Sequence, residues 1–77
     1  MSLTYKKVLM KEQVFWRKIS RIIMLLAEHL EISPKRAMDI FYNTQVCSML
    51  HDQRTGLFLM SDRYIIHDIL VELRNRQ

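Results

Sequence analysis

The chain is predicted to be an all-α domain of three helices, at about 5/11–30, 34–51 and 62–75, with a short extended segment at 57–60. Three observations carry that prediction. Apolar residues recur at steps of three and four along most of the chain, which is the helical period. Only one glycine and one proline occur in 77 residues, too few to punctuate many short strands. Both fall where a helix has to stop or restart. A hydrophobic content of 49% argues against disorder, and the length fits one domain spanning 1–77.

The first helix is the longest. Tyr5, Val8, Leu9, Phe15, Trp16, Ile19, Ile22, Ile23, Leu26, Ala27 and Leu30 form one broad stripe that Glu12 interrupts. Continuous from Tyr5 it would measure about 39 Å at 1.5 Å per residue, more than two shorter helices can cover. Residues 1–10 are therefore expected to form a flexible or partner-dependent arm. Ser33 and Pro34 restart the chain as N-cap and first helical residue of the second helix. Its apolar set is Ala37, Ile40, Phe41, Val46, Cys47 and Leu50, and the short link makes the two helices an antiparallel hairpin. Gly56 turns the chain after His51, and Leu57 to Met60 follow as a connector with Leu57 and Leu59 inward. Strand alternation would point Phe58 outward as part of a contact patch, but a Phe58 folded back over the helix hairpin as a lid on the core carries somewhat more weight. Ser61 caps the third helix, whose stripe is Ile65, Ile66, Ile69, Leu70 and Leu73.

Charge is uneven. The formal net charge is +4, and residues 1–21 hold Lys6, Lys7, Lys11, Arg17, Lys18 and Arg21 against Glu12 alone. A basic first third attracts an acidic protein, nucleic acid or an anionic surface, although a solvated helix face carries the same pattern. Trp16 lies in that third, beside the main stripe; a core position carries somewhat more weight for it than an interface anchor, but a large aromatic there can serve as either. Met24 and Met38 read more readily as core filler than as an adaptable surface.

Little in the sequence carries catalytic chemistry. Cys47 is the only cysteine, so no disulfide and no zinc framework are expected, and its apolar neighbours make it a small buried side chain. His51 lies four residues on, a weak nucleophile–base pairing without a third group. His29, His51 and His67 have no metal-ligand spacing, and one glycine cannot build a phosphate loop. No enzyme, cofactor, metal or small-molecule substrate is expected. The longest apolar run, Ile22 to Ala27, is too short for a bilayer, and no secretory pattern is present, so a cytoplasmic location is expected.

Two further patterns bear on function. Ala27-Glu28-His29-Leu30-Glu31-Ile32-Ser33, followed by Ala37 and Ile40, resembles a helix-turn-helix that presents Lys35, Arg36, Asp39 and Asn43 to a major groove. Glu31 stands where that turn usually has glycine, at a cost of about 1 kcal/mol if left-handed. Separately, Ala37-Met38-Asp39-Ile40-Phe41-Tyr42, Leu50 to Asp52, Thr55-Gly56-Leu57-Phe58-Leu59-Met60-Ser61-Asp62, Tyr64-Ile65-Ile66 and Asp68 resemble a family of short bacterial domains of unknown function. The likeness covers about residues 33–73. Members are often encoded beside toxin-like proteins resembling ADP-ribosyltransferases, which implies a small partner or antitoxin role and no catalytic residue.

The sequence reading is thus a non-enzymatic protein–protein interaction module, with a neighbouring toxin or a second copy as partner. Trp16, Phe58 and Tyr64 are its expected contact residues, with Lys11, Arg17 and Arg21 steering an acidic partner. The alternative is a helix-turn-helix-like DNA-binding regulator using Lys35, Arg36 and Asn43.

Overall fold

A computed structural model describes residues 12–76 in full and residues 2–11 as helical backbone, which includes positions 2–10 of the expected arm; Met1, Gln77 and the side chains of residues 2–11, Lys11 among them, lie outside the described residues. The chain is all-α, with α1 at Ser2–Leu30, α2 at Pro34–Tyr42, α3 at Gln45–His51 and α4 at Asp62–Asn75. Two 3₁₀ turns, Gln53–Thr55 and Leu57–Leu59, join α3 to α4. The core is one cluster drawn from every α-helix and from Leu57, with Ile19, Ile22, Leu26, Phe41, Leu50, Ile65 and Ile69 at its centre.

α1 ends where expected, by a defined mechanism. Glu31 takes a left-handed φ of 55°, the N–H of Ile32 donates to the carbonyl of Ala27, and the N–H of Glu31 donates to that of Glu28. This is a Schellman termination, in which two otherwise unpaired carbonyls find donors, and Ile32 and Ala27 form its customary apolar pair of positions. A residue with a Cβ is strained there by about 1 kcal/mol. Replacing Glu31 by glycine should therefore raise stability by about 0.5–1 kcal/mol, after the added chain entropy of the unfolded state is deducted. A melting temperature several degrees higher checks this; an unchanged or lower one contradicts it.

The single helix expected at 34–51 is two helices. Asn43 closes α2, and Thr44 opens α3 with its hydroxyl accepting from the N–H of Cys47. The packing explains the break. Ala37, Phe41 and Thr44 are buried on one face, and Val46, Cys47 and Leu50 on another. On an uninterrupted helix those faces would point roughly 140° apart, so one straight rod could not bury both. The free backbone groups at the break are taken by α4. The Glu72 carboxylate accepts from Gln45 N–H at 2.7 Å and Val46 N–H at 3.2 Å, while Arg76 donates to the Asn43 carbonyl at 2.7 Å.

The segment expected to be extended at 57–60 is also different. Gly56, at φ 70°, turns directly into the 3₁₀ turn Leu57–Leu59, and only Met60 is extended. A turn of three residues cannot alternate its side chains as a strand does. Leu57 is buried as expected, but Leu59 is 85% exposed and Phe58 packs against the core. Phe58 is thus closer to the lid than to the outward residue. Met24 and Met38 are 54% and 40% exposed, so neither is enclosed as core filler.

Ser61 caps α4 by accepting from the N–H of Tyr64, as its place in the sequence implied. In the first turn, Asp62 reaches back to α1, accepting from Arg21 Nε at 2.8 Å and lying 3.4 Å from Lys18 Nζ. The hydrogen bond from Arg21, reinforced by the nearby positive charges, holds the Asp62 carboxyl below its ordinary value. A depressed folded-state pKa stabilises fully above the unfolded value of about 3.9, and that contribution is lost as pH falls through the folded value. The urea midpoint should decline as the solution is acidified below about pH 4. Asp62→Asn should flatten part of that decline, and an acid limb identical to the wild type contradicts the assignment.

Candidate functional site: an aromatic face where α1 leaves the core

At the amino-terminal edge of the core, Phe15 of α1 is the centre of an aromatic group. Its ring stacks on Phe58 with centroids 5.7 Å apart and meets His51 edge-on at 4.9 Å. Trp16 stands edge-on to Phe15 at 5.4 Å. Offset and edge-to-face contacts at these separations match positive ring edges to negative ring faces. Lys18 Nζ lies 5.3 Å from the Phe58 ring centroid and donates to the Met60 carbonyl, which pins the 3₁₀ turn to α1.

The expected contact residues fall into distinct environments. Trp16 is 50% exposed on α1. Phe58 is half-buried under Phe15 and Lys18 and supports the face from below. Tyr64 is also 50% exposed, in the first turn of α4, and among the described residues it enters none of the aromatic pairs. Arg17 is exposed. Arg21 is committed to Asp62, so much of its charge is spent within the chain. Leu59 was expected to be inward, and its exposure adds an apolar residue to this end of the molecule. The His51 ring was not legible as part of the face. The signal for His51 was its placement one helical turn after Cys47, at the end of α3.

The Cys47–His51 pair is present, but it is not arranged as nucleophile and base. Cys47 is buried, and burial pushes its thiol up from the ordinary range. His51 Nδ1 lies 2.8 Å from the Cys47 carbonyl and 3.8 Å from Cys47 Sγ. A carbonyl oxygen only accepts, so Nδ1 carries the proton and cannot receive one from the thiol. Alkylation of Cys47 near neutral pH should be slow, at or below the rate of a free thiol. Rapid labelling contradicts this geometry. Among the described residues, no three His, Cys, Asp or Glu side chains converge to hold a metal ion, and no helix is long and apolar enough to cross a membrane.

The residues of the helix-turn-helix pattern lie at the α1–α2 link. Ala27 and Ala37 are both buried, and Lys35, Arg36 and Asp39 are exposed on the outer side of α2. Asn43 is exposed, but its side-chain amide donates to the Asp39 carbonyl at 2.7 Å.

The fold and this face define a small all-α domain with a half-exposed aromatic surface. Compared with known proteins, the chain matches no family model, no curated protein and no solved structure.

Proposed function

We propose that the chain is a non-enzymatic protein-binding module, and that its binding surface is centred on Trp16. The observation that carries this reading is the exposure of Trp16 on a rigid helix, above the stacked Phe15–Phe58 pair. A tryptophan held on a packed base gives a partner a large apolar surface at little cost in side-chain entropy. Arg17 beside it favours an acidic partner surface, and the antitoxin-like role implied by the likeness of 33–73 is the specific form of the proposal.

Co-expression with the product of the adjacent gene, followed by size-exclusion chromatography, tests it. Co-elution should be lost in Trp16→Ala, which keeps a cooperative melt and weakens binding by about 2 kcal/mol or more, roughly 30-fold. Self-association of the chain alone identifies a second copy as the partner. Elution as a lone monomer in every mixture overturns the proposal.

A second reading, a DNA-binding regulator, is favoured by one observation: the left-handed Glu31 between buried Ala27 and Ala37. Glu28, Glu31 and Asp39, all exposed, lie near Lys35 and Arg36 along the chain and offset their charge, which weakens the local attraction for phosphate. This reading requires a duplex shift at low salt that disappears in the Lys35→Ala, Arg36→Ala double variant. Absence of any shift at low salt disposes of it.

A further inference from the structure

We draw no further inference here: the strongest candidate, the exposed apolar surface of Leu59 and Met60 with Tyr64 between the second 3₁₀ turn and the start of α4, adjoins the site already described, and nothing in the structure shows what covers it.

Discussion

Phe41→Ala should remove about 3–5 kcal/mol of stability, the usual cost of truncating a fully buried phenylalanine. Phe41 is completely enclosed, at the end of α2 where the hairpin packs against α1, and its carbonyl accepts from the Thr44 hydroxyl that starts α3. The truncation therefore opens a cavity beside the break between α2 and α3. A domain of this length holds on the order of 4–11 kcal/mol in total, so the loss is a large share of it. Urea unfolding followed by helical circular dichroism should show a midpoint reduced by a third or more, or no cooperative transition. Phe41→Leu, which keeps most of the volume, should retain a cooperative transition with a smaller loss. A Phe41→Ala variant within 1 kcal/mol of wild type contradicts the packing described.

Glu72→Ala should cost about 1–3 kcal/mol although Glu72 lies outside the hydrophobic core. Its two oxygens accept from Gln45 N–H and Val46 N–H, and Oε2 also accepts from Arg76 at 2.8 Å. Without the carboxylate, the first turn of α3 loses acceptors that no neighbouring side chain replaces. Arg76 loses the charge that aligns it on the Asn43 carbonyl. At roughly 4–8 °C per kcal/mol for a domain of this size, the melting temperature should fall by about 5–20 °C. Hydrogen exchange supplies the local readout: the Gln45 and Val46 amides should lose protection by more than the global destabilisation explains. Exchange at those amides that merely follows global unfolding contradicts the local role.

Helix ends were legible in the sequence wherever a local residue writes them. Ser33 and Pro34 start α2, Ser61 starts α4, and the chain leaves α1 after Leu30, all with caps formed by neighbours in sequence. The break at Asn43–Thr44 was missed because neither residue is glycine or proline. The shift of apolar phase from Phe41 to Val46 was its one sequence signal. Leu59 was misassigned because a short apolar run fits a strand or a 3₁₀ turn equally well, and the contacts of Phe58 with Phe15 and Lys18 of α1, which make it the lid, decide between them. The site was legible in part. Trp16 stood out by residue type, whereas the engagement of Lys18 and Arg21 by Asp62 is a contact between chain ends that local pattern does not reveal.

The role of Trp16 can be measured directly, because it is the only tryptophan in the chain. With 5-fluorotryptophan incorporated, its single fluorine resonance should shift or broaden on addition of the unlabelled adjacent-gene product, or as the chain's own concentration is raised. A resonance unchanged by either titration would leave Trp16 an ordinary solvent-facing residue and remove the basis for a binding surface at this end of the molecule.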